Sequence, residues 1–178
     1  RHAAGESQHW PVPAARHPGT PILHVGGIAR GKARLVPVEH APPAEHPDAA
    51  YPLVLTTGRV IYHWHGGDMT RRVGGLLEVC RESLVEVSLD DAARIGLGDG
   101  ECVRVISRRG QLEARALVTD RVAAGVVFAN FHFPGEQNAN NLTIGAVDPI
   151  AKIPEYKVCA VRIEPLTASS PRRGGAKG

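Results

Sequence analysis

Residues 102–118, CVRVISRRGQLEARALV, alternate apolar and polar side chains on either side of a short Arg109-Gly110 break. An alternation with period 2 is typical of a strand that buries one face, and a glycine-bearing break between two such runs is typical of a tight hairpin. We therefore expect strands at 102–106 and 112–118 that pair with each other and bury their valine, leucine and alanine side chains on one face.

Further short apolar runs, separated by glycine and aspartate, predict four more strands, at residues 53–55, 84–87, 126–133 and 158–163. Ser88 stands three residues before Asp91, a spacing that caps helix N-termini, so a short helix is expected at 90–95, with Gly96 ending it. No helical pattern is long enough to cover two faces of an open sheet. The sequence thus predicts a mainly β (α+β) domain, a closed barrel with a few short helices.

The two ends of the chain differ from this central part. Residues 1–50 hold eight of the fourteen prolines and six of the nine histidines and show no sustained period, so we expect an extended N-terminal arm that lies across another surface. The barrel is expected at 51–165 and a disordered tail at 166–178. The chain opens on Arg1 with polar, proline-broken sequence, which suggests a fragment of a longer protein.

Composition narrows the class of protein. The formal charge of +3 lies partly in the basic tail, so no nucleic-acid partner is expected. Cys80, Cys102 and Cys159 form no Cys-x-x-Cys pair, which disfavours an iron–sulfur cluster or zinc ribbon and favours a reducing, cytoplasmic compartment. No apolar run approaches the length of a membrane span, so no direct membrane contact is expected.

Residues 56–72 are the first candidate binding segment, because they follow a predicted strand and combine glycines with hydroxyls and guanidinium groups. Glycines permit close backbone approach, and arginine forks match phosphate oxygens. The groups in question are Thr56, Thr57, Gly58, Arg59, Gly66, Gly67, Thr70, Arg71 and Arg72. An ordinary surface loop with solvated arginines explains the composition equally well, and neither a P-loop nor a Gly-x-Gly-x-x-Gly pattern is present.

Histidines, amides and one lysine form weaker candidates. On an extended segment His63 and His65 would share a face, but too few further ligands lie nearby for a metal, so stacking of these rings and Trp64 on a planar ligand, or plain packing, is favoured. His132 would face either a cavity or the outside of a strand. The amide-rich run 138–143 either contacts a heterocycle or closes turns.

Four motifs carry a family resemblance: YPLVLTTGR at 51–59, HWH at 63–65, MTRR at 69–72 and PEYKVCAV at 154–161. Together they resemble the C-terminal domain of bacterial formate dehydrogenase alpha subunits, in the molybdopterin oxidoreductase superfamily. The resemblance covers nearly all of residues 10–165. It implies a double-psi β-barrel that binds molybdopterin guanine dinucleotide.

The resemblance also implies cofactor contacts, with an amide at Asn140, a lysine at Lys157 and His132 near the pterin. The residues expected to bind the cofactor are Thr57, Gly58, Arg59, Val60, Ile61, Tyr62, His63, Trp64, His65, Gly66, Thr70, Arg71, His132, Asn140 and Lys157. No residue of this chain is expected to be catalytic or to bind a metal, because the metal-ligating and iron–sulfur residues of the family belong to other domains.

The resemblance implies formate oxidation to carbon dioxide by the full subunit and not by this domain alone. A bis-molybdopterin guanine dinucleotide cofactor with molybdenum or tungsten would be held by the whole enzyme. The expected partners are the remaining domains of the alpha subunit and electron-transfer subunits. Two alternatives stay open: a nitrate reductase-type relative, and a separately encoded barrel that acts as a partner subunit or binding module.

Overall fold

The computed structural model describes residues 8–28 and 30–166, and the predicted disordered tail lies, apart from Leu166, outside the described residues. The chain divides into two compact units, with the boundary between Ala41 and Pro42. In the described part of the first unit, the only β-structure is an isolated bridge between Ile28 and Gly31. Prolines and glycines account for this, since they interrupt helices and strands alike.

The second unit is built from six short strands and two short helices in its described part. The strands are β1 Leu53–Gly58, β2 Leu84–Ser88, β3 Cys102–Ile106, β4 Gln111–Thr119, β5 Val126–Asn130 and β6 Cys159–Pro165. The helices are α1 Gly74–Val79 and α2 Leu89–Ile95, with 3₁₀ turns at Thr70–Arg72, Gly135–Gln137 and Ala139–Asn141.

The six strands close into a barrel in the order β1-β5-β2-β4-β3-β6. Two pairs are parallel, β1 with β5 and β2 with β4, and the other neighbours are antiparallel. Closure leaves no strand edge unpaired. The predicted mainly β, double-psi barrel is confirmed.

Alternation along the strands fills the barrel interior. In β3 the side chains of Val103 and Val105 are fully buried while their neighbours are half-exposed. The largest fully buried apolar side chains are Leu53, Leu55, Leu112, Leu142, Val85, Val87, Val103, Val105, Val127 and Val161. The predicted hairpin is confirmed as well, because Ile106 pairs with Gln111 across the Arg109-Gly110 turn.

The expected capping of the short helix is confirmed. The Ser88 hydroxyl accepts a hydrogen bond from the Asp91 N–H at 3.1 Å and donates one to the Asp91 carboxylate at 2.7 Å. Gly96 ends α2 with φ of 68°, a left-handed conformation that favours glycine at helix C-termini. The helix covers the end of the barrel at which β2 finishes.

One local prediction was wrong, and one helix was not predicted. The strand expected at 126–133 ends at Asn130. The Phe131 N–H makes the last bond to β1, at the Gly58 carbonyl, and the His132 ring then bonds to the loop that follows β1. Helix α1 had no counterpart in the sequence prediction; it begins at two glycines and buries none of its residues. Among the described residues, no helix is long and apolar enough to cross a membrane.

A buried carboxylate ties residues just before β1 to the barrel. Glu45 is 9% exposed and accepts hydrogen bonds from Arg108 at 2.6 Å, Arg109 at 2.7 Å and the Ala160 N–H at 2.9 Å. These bonds, with that of Arg109 the strongest cause, lower the pKa of Glu45 to about 2. One carboxylate thereby joins the hairpin turn to strand β6.

We expect Glu45→Gln to destabilise the fold by about 3 kcal/mol near neutral pH, since the shift of the pKa corresponds to that free energy. The folded-state pKa lies below the ordinary value of 4.5, so the carboxylate stabilises the fold above pH 4.5 and loses this effect as the pH falls toward 2. Urea unfolding of both proteins from pH 7 to pH 3 measures the difference, with exposed Glu39→Gln as control. A constant difference at all pH values would contradict the assignment.

Candidate functional site

Strand register brings every long connection except the one containing α2 to one end of the barrel. Gly58 of β1 lies beside Asn130 of β5, and Leu55 of β1 pairs with Cys159 of β6. The strand termini at this end, here called the loop end, are Gly58, Leu84, Ile106, Gln111, Asn130 and Cys159. The segments 59–83 and 131–158 therefore both start and finish there, and they contain almost all the predicted cofactor residues.

Gly58 marks the point where β1 becomes a loop. A methyl group at this position would lie 2.5 Å from the ring of Phe128 on the neighbouring strand. Thr57, one residue earlier, is buried, and its hydroxyl donates to the Tyr156 carbonyl at 2.7 Å. Thr57 thus joins the start of the first loop to the end of the second and has no free hydroxyl proton to offer a ligand.

His132 holds the first loop from inside. It is fully buried, its Nε2 accepts the Val60 N–H at 2.9 Å, and its Nδ1 donates to the His65 carbonyl at 2.5 Å. Burial, the largest cause, lowers the pKa of His132, and nearby His63 and Arg59 act in the same direction. The ring is therefore neutral and belongs to the loop's support, not to an open cavity or the outer face of a strand.

His63 forms a second internal support. Its Nε2 donates to the Cys80 carbonyl at 2.7 Å, and its Nδ1 lies 3.1 Å from the Thr70 hydroxyl, which also accepts the Trp64 N–H. His63 is 3% exposed whereas His65 is exposed and has φ of 45°. The expectation that these two histidines share one face of an extended segment is wrong, because the chain turns sharply between them.

The outer face of the same loop is open to solvent. The exposed residues are Arg59, Ile61, Tyr62, Trp64, His65 and Gly66, with the Arg59 guanidinium 5.4 Å from the Trp64 ring centre. Within the described chain, the backbone N–H groups of Ile61, Tyr62, His65 and Gly66 have no hydrogen-bond acceptor. The loop thus presents a cation, two aromatic rings and a run of free donors together.

Lys157 lies beside the start of this loop. Its ammonium donates to the Thr57 carbonyl and lies 5.0 Å from the Tyr156 ring centre and 5.9 Å from that of Phe131. The residue itself is exposed. Two strands thereby bring Arg59 and Lys157, almost a hundred residues apart in sequence, to the same end of the barrel.

Arg71 and Gly67 close the far side of the loop. Arg71 is half-buried, its guanidinium lies 3.5 Å from the exposed carboxylate of Asp68, and its Nε is buried without a partner among the described residues. Gly67 has φ of 79°, and a methyl group there would come 2.6 Å from the His132 carbonyl and 2.8 Å from Arg71 Nε. The close approach explains why a glycine stands at this position.

The amide-rich segment lies at the same end, on the hairpin side. The Asn138 side chain accepts the Asn140 N–H, and Asn141 donates to the Gly135 carbonyl at 2.9 Å, so two of the three amides close turns. Asn140 is exposed. A cavity of about 490 Å³ beside this segment is lined by Arg109, Gly110, Gln111, Glu113, Gly135, Glu136 and Asn141.

Sequence reasoning missed a buried polar cluster at the loop end. The Ser83 hydroxyl donates to the Asn130 side-chain oxygen at 3.1 Å, and the Ser83 N–H donates to Gln137. The Asn130 amide nitrogen has no partner in the described part of the chain. No local pattern marks these residues, since they meet only through pairing of β2 with β5. Residues 8–28 and 30–166 contain no group of three or more potential metal ligands.

This architecture is a closed double-psi barrel with a donor-rich, cationic loop at one end. Residues 53–160 match the family model "Molydopterin dinucleotide binding domain". The chain belongs to the family of molybdopterin dinucleotide-binding domains.

Similar proteins include alpha subunits of F420-dependent formate dehydrogenases. The subunit from Methanocaldococcus jannaschii is 48% identical over 158 residues, which cover 88% of this chain and 23% of that protein. The formate dehydrogenase 2 subunit from Methanococcus maripaludis is 45% identical, with coverages of 88% and 23%. The assimilatory nitrate reductase catalytic subunit of Bacillus subtilis is 38% identical, with coverages of 89% and 23%. The chain spans about a quarter of the length of these relatives.

Among solved structures, acetylene hydratase from Pelobacter acetylenicus is similar, with a TM-score of 0.57 and 16% identity. The match covers 64% of this chain and 18% of that protein. At this identity the similarity supports the fold.

The loop fits the chemistry of a pterin dinucleotide. Diphosphate oxygens are matched by arginine forks and free backbone N–H groups, and a planar heterocycle is matched by aromatic faces. The run from Arg59 to Gly66 offers all three, and Lys157 adds a second cation. The Asp68 side chain is 88% exposed and lies beside Arg71, so its negative charge is outside the run from Arg59 to Gly66.

We expect Gly67→Ala to destabilise the protein by about 2 kcal/mol, because the added methyl group meets backbone and the φ angle is unfavourable. Gly66→Ala is a matched control, since the nearest atom to its methyl group is an Asp68 oxygen at 3.4 Å; a change below about 0.5 kcal/mol is expected there. Chemical unfolding measures both. Equal stability of the two variants would contradict the close packing of Gly67.

Proposed function

We propose that this chain is the molybdopterin guanine dinucleotide-binding domain of a formate dehydrogenase. The observation that carries the proposal is the exposed loop Arg59–Gly66, with free backbone donors and two cations at one end of a barrel of this family. Identities of 48% and 45% to formate dehydrogenase alpha subunits favour formate as the substrate of the full enzyme.

Each outward-facing group has a role in this proposal. Arg59 and the backbone N–H groups of Ile61, Tyr62, His65 and Gly66 would hold phosphate oxygens, and Trp64 would pack on the pterin. Lys157 and Asn140 would complete the contact. The cofactor, with its molybdenum or tungsten held by the full enzyme, supplies the two-electron chemistry by which formate becomes carbon dioxide. The residues of this chain would orient the pterin.

The remaining assignments belong to the proposed enzyme as a whole. The other domains of the alpha subunit would cover the loop end, and separate electron-transfer subunits would accept the electrons. Iron–sulfur clusters would be bound by parts of the complex outside these residues. A cytoplasmic location agrees with three free cysteines, two of them buried.

A nitrate reductase is the second candidate, because the Bacillus subtilis catalytic subunit is 38% identical over 162 residues. A separately encoded barrel without cofactor is a weaker candidate than these two, because the loop has free backbone donors. Substrate choice between the first two depends on residues at the metal, which other domains would supply.

The cofactor contacts are tested by Arg59→Ala/Lys157→Ala in the full-length enzyme. We expect pterin and metal content per protein to fall about 10-fold or more, since each lost charge-assisted contact contributes roughly 1.5 kcal/mol. Lys32→Ala/Arg34→Ala removes one lysine and one arginine from exposed positions far from the loop in sequence and serves as the control. Full cofactor content in Arg59→Ala/Lys157→Ala would reject the proposed contacts of these two residues with the cofactor.

The substrate is tested by turnover of the purified, cofactor-loaded enzyme with redox dyes. We expect formate-dependent dye reduction, with nitrate-dependent dye oxidation about 100-fold slower or more, a discrimination typical of a mismatched site. Faster turnover of nitrate would favour the reductase candidate.

A further inference from the structure

Two buried rings support the inner side of the proposed cofactor loop, while the cofactor-facing groups point outward. His132 and His63 have ring centres 5.5 Å apart, and Phe133 packs edge-on against His63 at 5.3 Å. Both histidines are almost inaccessible to solvent. Neither ring can reach a ligand on the outer face, so any effect on the cofactor must pass through the loop backbone.

The bonds of His132 fix the loop at two separated points. It accepts from the N–H of Val60 and donates to the carbonyl of His65. The free N–H groups of Ile61 and Tyr62 lie between these two points, and those of His65 and Gly66 lie at and just after the second point. His65 has φ of 45°, a conformation that residues with a side chain rarely adopt and that persists only where the surroundings restrain it. The bond from His132 supplies such a restraint.

We propose that His132 is a positioning residue, whose uncharged ring clamps Val60 and His65 and so sets the spacing of the backbone donors that face the cofactor. The proposal rests on the cofactor-binding function proposed above. It differs from a direct contact between His132 and the pterin, because both ring nitrogens already bind backbone groups.

Only the neutral ring can make both bonds. A protonated imidazole carries an N–H on each nitrogen, so its Nε2 would face the Val60 N–H donor to donor. The ionisable groups near the ring are His63 and Arg59, with Arg71 beyond them near the His132 carbonyl, and the exposed Asp68 pairs with Arg71. Burial lowers the pKa of His132 below its ordinary value of 6.5. The clamp is therefore complete above pH 6.5 and opens as the pH falls through the lowered pKa.

Hydrogen exchange in the full-length subunit tests the clamp without relying on cofactor binding. We expect His132→Leu to lower the protection factor of the Val60 amide about 10-fold, the effect of losing one buried hydrogen bond. His132→Gln places an amide oxygen near the position of Nε2 and should retain most of the protection. Exposed His46→Leu is the matched control and should leave it unchanged. Equal protection in the Leu variant and the native protein would overturn the proposal.

A pH series separates positioning from mere packing. In the native protein the protection factor of Val60, corrected for the intrinsic exchange rate, should fall as the pH is lowered below 6.5 through the lowered pKa of His132, while that of Leu55 inside β1 stays constant. In His132→Gln the Val60 dependence should disappear, and this comparison also serves if His132→Leu does not fold. A dependence that persists in the Gln variant would overturn the proposal.

Cofactor content of the same variants completes the test. We expect His132→Leu to lose pterin and His132→Gln to retain it. Full pterin content in His132→Leu with reduced Val60 protection would show that the clamp exists but does not position the cofactor, which overturns the inference. Retention of pterin by Arg59→Ala/Lys157→Ala would instead count against the proposed function, so the two failures are distinguishable.

Discussion

The parallel pairing of β1 with β5 is the constraint on which the rest of the site depends. It aligns Gly58 with Asn130, so the loops that follow these strands leave the barrel side by side. His132 can then reach Val60 and His65 although seventy or so residues separate them in sequence. Antiparallel pairing of β1 with β6 brings Lys157 to the same end of the barrel, where its ammonium donates to the Thr57 carbonyl. The register of the strands in the barrel thus sets the geometry of the candidate binding loop.

Much of this fold was accessible from the sequence, because most strands bury one face and alternate in side-chain polarity. The hairpin of β3 and β4, the cap at Ser88 and the stop at Gly96 follow from patterns within a few residues. The candidate loop was identified partly by its hydroxyls, arginines and glycines, but composition alone did not separate it from an ordinary surface loop. The family resemblance was needed for that.

The inner side of the site could not be predicted, because it depends on contacts between distant segments. Alternation extended β5 through His132, whereas the bonds of that ring to the first loop take the chain out of the strand. Likewise His63 and Thr57 were expected to contact a ligand, but the structure occupies their polar atoms with Cys80, Thr70 and Tyr156. Local chemistry shows which groups can bind, and only the tertiary structure shows which remain free.

The clamp at His132 recognises main-chain atoms, an amide hydrogen at Val60 and a carbonyl oxygen at His65. Every amino acid has that carbonyl, and every one except proline has that amide hydrogen. The two bonds made by His132 therefore do not depend on which side chains the loop residues carry. Replacement of an outward residue such as Ile61, Tyr62 or Trp64 would alter the chemical character of the loop surface and leave these two backbone bonds in place. The two backbone bonds thus restrain the course of the main chain, whereas the chemistry of the exposed surface is set separately, by the side chains.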